Sequence, residues 1–386
     1  MKQTSLFTCL TFFVLFTFSS NAQEIGLNFN HNPENIDLKY VAQTGVKWVR
    51  TTPRILDYVD GALHVKNDPG IKMVVASGKS GYEIAFGFRW DFKRRALRLP
   101  EPNTDREALY FKTVDSILDQ VGQYVKIFKL GNEPNLETME VDMQYNSHHE
   151  IPLVIFTNRL FEHVFAYYKK HPEWKMPEFY TGSLPALFEK RWQENPGVLE
   201  LIQYTQTNKQ ITGLAVHLHI ADTADIPQAL TFVRRIMPSK PIIVPEFSLW
   251  RLYNKQFNSY IKDSGTGAAF LKKYKLPKNM KVHEFLTLVN DKKIPPSQFY
   301  EMFISQNWYP DHYLNIYRRY YQTYGVTLAT YPLFQQGYSK VVTPKSQSWF
   351  LNPIFMNKSY GTNKQGEYEK NPLSYEDFMN WVRNTY

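Results

Sequence analysis

The 386-residue chain contains a single cysteine, Cys9. It falls in an N-terminal stretch that reads as a cleavable leader. The mature chain is therefore expected to carry no thiol, which excludes a cysteine nucleophile, a zinc–thiolate site and structural disulfides. No Gly-x-Ser-x-Gly elbow occurs, so a serine hydrolase of that type is not indicated. Ala76-Ser77-Gly78-Lys79-Ser80 looks like the end of a phosphate loop, but Met73 stands where the first glycine is required. His148-His149 and His217-Leu218-His219 match no common metal-ligand spacing, so neither a metal nor a cofactor is expected. Beyond the leader, no uninterrupted apolar run reaches the roughly 20 residues of a membrane span. Repeats, low-complexity tracts and linkers are also missing.

What is present begins with the leader. Lys2 supplies a positive start, Leu6 to Phe18 an apolar stretch, and Ser20-Asn21-Ala22 small residues suited to cleavage before Gln23. Residues 1–22 are thus expected to be removed. The product would be secreted or periplasmic, without a stable membrane anchor, and residues 23–386 would form one catalytic domain. The net charge of +9 does not point to nucleic acid in an exported protein; a basic surface suits an acidic polysaccharide better.

Eight short apolar, β-branched or aromatic runs follow one another at roughly even spacing: Glu24–Asn30, Val46–Thr51, Tyr82–Phe88, Val125–Leu130, Glu178–Gly182, Gly213–His219, Pro241–Glu246 and Val326–Tyr331. Helical stretches separate them, clearest at Asp105–Val121, Leu153–Lys170, Ile226–Met237 and Tyr313–Tyr324. In the first of these, Leu109, Val114, Ile117, Leu118 and Val121 recur at three- and four-residue spacing. Near-continuous apolar strands alternating with helices make a parallel sheet covered on its outer face. Eight units predict an α/β fold of the (β/α)₈ TIM-barrel type, with an open doubly wound sheet as the alternative. Between the seventh and eighth strands, residues 253–310 read as a long helical insertion over the active-site face.

Catalytic groups of such a barrel sit at the carboxyl ends of its strands. Two of these ends carry glutamates: Leu130-Gly131-Asn132-Glu133-Pro134-Asn135 after the fourth run and Val244-Pro245-Glu246-Phe247 at the seventh. A carboxylate closing an apolar strand is costly without a partner or a purpose. Gly131-Asn132-Glu133-Pro134 resembles the Asn-Glu-Pro signature of the clan of retaining (β/α)₈ glycoside hydrolases that includes cellulases, β-galactosidases and β-xylosidases. The longer string Leu130–Asn135 is also similar to the motif of heparanase-like β-glucuronidases. The resemblance implies Glu133 as acid/base and Glu246 as nucleophile, about 5–5.5 Å apart across the sugar. Glu133 would then have a raised pKa while Glu246 stays ionised.

The same resemblance implies roles for further residues. Asn132 would bind the sugar 2-hydroxyl, and Arg50, at the end of the second strand, would keep the nucleophile ionised. His217 and His219 would contact the nucleophile region; alternation puts both on one side of their strand. Where the clan often has a sugar-stacking tryptophan at strand eight, this chain has Tyr331, with Trp250, Trp308 and Trp349 as other aromatics able to reach in. The loop Arg89-Trp90-Asp91-Phe92-Lys93-Arg94-Arg95, continuing to Arg98, places basic residues and Trp90 on the active-site side, as an acidic sugar would require. The expected activity is double-displacement hydrolysis of a poly- or oligosaccharide, with an acidic glycan as the finer expectation. Two other readings compete: a metal-dependent barrel hydrolase using His217 and His219, and a catalytically silent sugar-binding barrel.

Overall fold

The computed structural model describes residues 23–384; the leader, with Cys9, lies outside them. Eight parallel strands close into a barrel in sequence order: β1 (Glu24–Asn28), β2 (Trp48–Thr51), β3 (Glu83–Gly87), β4 (Val125–Lys129), β5 (Glu178–Pro185), β6 (Gly213–His219), β7 (Ile242–Ser248) and β8 (Val326–Pro332). All eight expected runs are strands, and the α/β barrel replaces the open-sheet alternative. The four clearest helices form at Asp105–Val121, Pro152–Lys169, Asp225–Ile236 and Tyr313–Thr323. Their starts are coded locally. Thr104 accepts from the Glu107 amide ahead of the first, and Asn195 does the same for Val198 ahead of the helix Pro196–Thr207, each satisfying a donor that the first turn leaves unpaired.

Inward side chains fill the barrel in layers. Trp48, Ala85, Ile127, Tyr180, Ala215, Ile243 and Leu328 form a closed apolar layer, and the Trp48 indole donates to Glu24 at the floor. Two residues further along β2 and β4, the same alternation turns Arg50 and Lys129 inward. The strands thus change from apolar to charged within one step, and that step marks the base of the site.

In β7 the alternation is deliberately broken. Ile243 faces inward, so an unbroken strand would aim Pro245 inward and Glu246 out. Instead the register with β6 runs Ala215 opposite Ile243 and then His217 opposite Glu246, with a shift between. Pro245 has no amide hydrogen to give to a ladder and is tolerated at such an irregularity. The additional residue turns Glu246 back into the barrel beside His217. The carbonyl of Pro245 is not wasted: Thr330 Oγ1 donates to it at 2.6 Å.

Between β7 and β8 lie the helices Trp250–Gln256, Gly267–Lys273, Val282–Asn290 and Pro296–Ile304. They do not line the catalytic cleft, contrary to the expectation for residues 253–310. The helix Val282–Asn290 holds the segment that follows β8 instead: Asn290 Nδ2 donates to the Ser339 carbonyl, and Thr287 bonds both backbone groups of Val342. It is that later segment which reaches the cleft. Among the described residues, no helix is long and apolar enough to cross a membrane.

Lys129 is fully buried, and its side-chain nitrogen has no hydrogen-bond partner among the described residues. Burial, with Arg50 adding to it, pushes its pKa well below the usual lysine value. Leaving a buried polar group unsatisfied costs about 1–3 kcal/mol. Lys129→Met, which keeps the length and removes the amine, is therefore expected to raise the thermal unfolding midpoint. A lowered midpoint would show that the amine is satisfied in solution.

Candidate active site

The two glutamates come together at the carboxyl-terminal mouth, and the groups around each differ. Arg50, wholly buried on β2, donates through Nη1 to Glu246 Oε1 at 2.6 Å and to Asn28 Oδ1 at 2.8 Å, and through Nη2 to Asn132 Oδ1 at 2.7 Å. Asn30 Nδ2 reaches Glu246 Oε2 at 3.4 Å. His217 stands between the carboxyl groups. Its Nδ1 is 3.1 Å from Glu133 Oε1 and its Nε2 3.7 Å from Glu246 Oε1. His219 Nε2 lies 3.6 Å from Glu246 Oε2.

Neighbouring groups also decide which nitrogen of His219 carries hydrogen. Ser248 Oγ accepts the Trp250 amide at 3.2 Å and lies 2.7 Å from His219 Nδ1. An ionised carboxylate can only accept, so Glu246 Oε2 near Nε2 favours the tautomer with hydrogen on Nε2, and Nδ1 then accepts from the Ser248 hydroxyl. Glu246 thus faces a guanidinium, an amide and an imidazole N–H.

These contacts set the charges. Burial would push Glu246 up, but His217, Arg50 and His219 together hold it well below the usual carboxylate range. It is an anion, as a nucleophile must be. Glu133 departs from expectation. Burial pushes it up, yet the hydrogen bond and charge of His217 bring it below its ordinary value. Burial in turn lowers His217. Glu133 is thus lowered rather than raised, and the reason is the histidine that β6 turns toward it. Glu133 also adopts a left-handed backbone, φ 42° and ψ 47°. Pro134 disfavours a right-handed helical conformation at the preceding residue, and a non-glycine residue held in the left-handed region stores strain of the kind found at functional sites.

A third carboxyl group was not foreseen. Glu137, one turn beyond Glu133, accepts from Asn132 Nδ2 at 2.9 Å and from the Trp90 amide at 3.1 Å, and its Oε1 lies 3.0 Å from Arg89 Nε. Burial raises it to about 8, against the pull of Arg89. Asn132 is therefore held from both ends, by Arg50 on its oxygen and Glu137 on its nitrogen. The signal available in the sequence was an acidic residue four positions after Glu133. Asn28, which closes β1, and Asn30 just beyond it could have been found by the strand-end rule that found Glu246.

The cleft has a cavity volume of about 460 Å³. Its lining includes Asn132, Glu133, His219 and Glu246, joined by Asn30, His31, Arg89 and Trp349. Three expected substrate-binding residues lie elsewhere. Trp90 is buried, stacked on Phe92 at 5.5 Å and edge-on to Phe156 at 5.0 Å, because its loop folds back onto the outer helices. Tyr331 is wholly buried on the outer side of β8, its hydroxyl bonded to that of Tyr313 and its ring 5.0 Å from Phe247. Trp250 supports the cleft from behind, stacked at 4.7 Å on Trp349, which meets His219 edge-on. Trp349 is thus the tryptophan that faces the site.

The basic loop is also reassigned. Arg95 pairs with Asp57 and Asp60, and Arg98 with Asp142. Lys93 and Arg94 are exposed. Only Arg89 lines the cleft, and its Nε already faces Asp91 at 2.8 Å and Glu137 at 3.0 Å. His31 is lowered to about 4 by burial and by Arg54 and Arg89, so it adds no charge at neutral pH.

No protein-family model matches the chain, and neither does any curated protein. Solved structures do resemble it in fold. One is a trimodular endoglucanase of subfamily GH5_4, with a TM-score of 0.51 and 10% identity, aligned over 94% of this chain. The chain spans 60% of that protein's length. Another is the β-glucosidase of Thermotoga maritima in complex with castanospermine, with a TM-score of 0.51 and 9% identity, covering 95% of this chain and 98% of that one. At such identities the likeness is one of fold.

Two predictions follow from the site. His217→Phe removes the group that lowers both carboxyls, so both limbs of the pH profile of kcat/KM, which reports the free enzyme, should move to higher pH. Limbs that stay in place or move down would contradict the assignment. Glu137→Ala frees Asn132 and should lower kcat on the order of 10²-fold, the scale of a small misplacement near the chemistry, while Glu137→Gln restores most of it. Wild-type kcat in the alanine variant would show that Glu137 holds nothing that matters.

Proposed function

We propose that the protein is a retaining glycoside hydrolase acting on a poly- or oligosaccharide, with Glu246 as nucleophile and Glu133 as acid/base. The observation that carries this reading is the unequal pair. Two carboxyl groups share one cleft across His217, one locked as an anion by Arg50, the other free of any fixed cation and 19% exposed at its side chain. Double displacement needs that division: a permanent anion to attack the anomeric carbon, and a group able to give a proton to the leaving oxygen and take one from water. The leader-like residues 1–22 support a secreted or periplasmic site of action.

Proton transfer would run through Glu133, whose lowered pKa favours activity on the acid side of neutrality. When Glu246 attacks, its negative charge is spent on the new bond. Glu133 then acts as the base that activates water for hydrolysis of the glycosyl-enzyme. Asn132, held by Arg50 and Glu137, is placed to meet the sugar hydroxyl next to the anomeric carbon. The charge pattern supports a neutral more than an acidic glycan, since Arg89, Arg95 and Arg98 meet the protein's own carboxylates and Lys93 and Arg94 do not line the cleft.

A second reading has one observation behind it. Glu133, His217 and His219 each offer a ligand atom, all within 4.8 Å of one another. Against a metal-dependent hydrolase stands the Arg50 guanidinium on the neighbouring carboxylate, which repels a cation there. A silent sugar-binding barrel has no use for an arginine-locked anion and a second, exchangeable carboxyl group in one cleft.

Glu246→Ala should reduce turnover by several orders of magnitude, the scale for a nucleophile, with partial recovery in azide. Glu133→Ala should spare substrates whose leaving group needs no proton. Activity unaffected by chelators is also expected. Normal hydrolysis of natural glycans by both variants, or loss of activity on chelation with return on adding zinc, would overturn the proposal.

A further inference from the structure

A second cavity, of about 570 Å³, adjoins the catalytic cleft. The two share Asn32, Asn35, Gln335, Gln336 and Lys358 as a common wall. Its size falls within the roughly 300–1,000 Å³ of small-molecule sites. It is built by the segments that follow β1 and β8. In a closed ring of eight strands in sequence order, β8 lies across the barrel from β4, which carries Glu133. Glu133 lines the catalytic cleft but not this cavity.

The lining is suited to sugar hydroxyls. The side-chain amides of Asn32, Asn35 and Gln336 make no hydrogen bond within the described structure, and each can both donate and accept, as a hydroxyl does. Gln335 is fixed: its amide donates to the Phe350 carbonyl at 2.9 Å and Ser359 Oγ at 2.7 Å, and its oxygen accepts the Lys358 and Ser359 amides at 2.8 Å. It gives the shared wall a rigid core. Charges balance, Glu34 and Asp37 against Lys39 and Lys358.

We infer that this cavity holds the glycone-side continuation of a neutral oligosaccharide, so that the protein cleaves within a chain and needs at least two sugar units on the side of the bond that becomes covalently attached. The inference rests on the two-glutamate reading. The leaving portion departs toward its proton donor, Glu133, so a pocket across the barrel from Glu133 receives the other portion. Binding there is remote from the bond that breaks, and such energy is spent in reaching the transition state.

The test uses 4-nitrophenyl β-glycosides bearing one, two or three β-1,4-linked units of glucose, xylose or mannose. In at least one series, kcat/KM should rise about 100-fold from one unit to three, as remote binding energy used in catalysis allows. Met73→Trp fills the wall of the second cavity, and Glu34→Trp does so from an exposed position, in case the first variant fails to fold. Either should remove roughly nine-tenths of the gain or more and leave the single-unit rate within about twofold, since neither residue lines the catalytic cleft. Rates independent of length, a gain that survives both variants, or no hydrolysis of any probe would overturn the inference. If length has no effect while Glu246→Ala is inactive, the cavity assignment alone fails; if Glu246→Ala hydrolyses these glycosides normally, the two-glutamate reading fails with it.

Discussion

The contact between Arg50 and Glu246 organises the mouth of the barrel. A guanidinium with no solvent exposure carries a large desolvation cost, and breaking such a buried pair by removing one member costs about 3–5 kcal/mol. Arg50 offsets that cost by spreading its donors over three strands' ends, to Asn28 at the end of β1, Glu246 on β7 and Asn132 after β4. The consequence is geometric as well as electrostatic. Asn132 and Glu246 stand in a fixed relation because both are tied to one planar fork, which cannot lose its charge.

From that fixed point the remaining groups fall into order. Glu137 orients the far end of Asn132, and Ser248 orients His219 toward the carboxylate. His217 couples the two glutamates, so that neither titrates alone. The carboxyl group without a cation of its own is the one free to exchange a proton. Its left-handed backbone and the following proline hold it at the rim, where a leaving group would pass.

Much of this was legible in the sequence, because short-period patterns survive without knowledge of the fold. Eight apolar runs gave eight strands, and the polar residues closing them gave Glu133, Glu246, Asn132, Arg50, His217 and His219, all of which the structure brings together. What could not be read were the features that depend on which way a chain turns after a strand ends. Trp90 looks like a cleft aromatic by position, but its loop folds outward onto Phe156. Tyr331 differs from an inward neighbour by one step of alternation and so faces Tyr313. Arg95 and Arg98 meet acidic partners far from them in sequence, which no count of charges along the loop could reveal. The pKa of Glu133 was misjudged for the same reason: the push of neighbouring charge was foreseen, the histidine hydrogen bond on it was not. Pro245 was visible throughout, and a proline inside an apolar strand was the available sign that the register would shift.

The account turns on Glu246 becoming covalently linked to the sugar. Incubation with 2-deoxy-2-fluoro glycosides carrying a good leaving group, of the sugar series that the protein hydrolyses, followed by intact-mass and peptide mapping, tests this directly. The account predicts one added glycosyl unit per chain, located on the peptide containing Glu246, with activity lost in step with labelling. A label on any other residue, or no label while the parent glycosides are turned over, would contradict it.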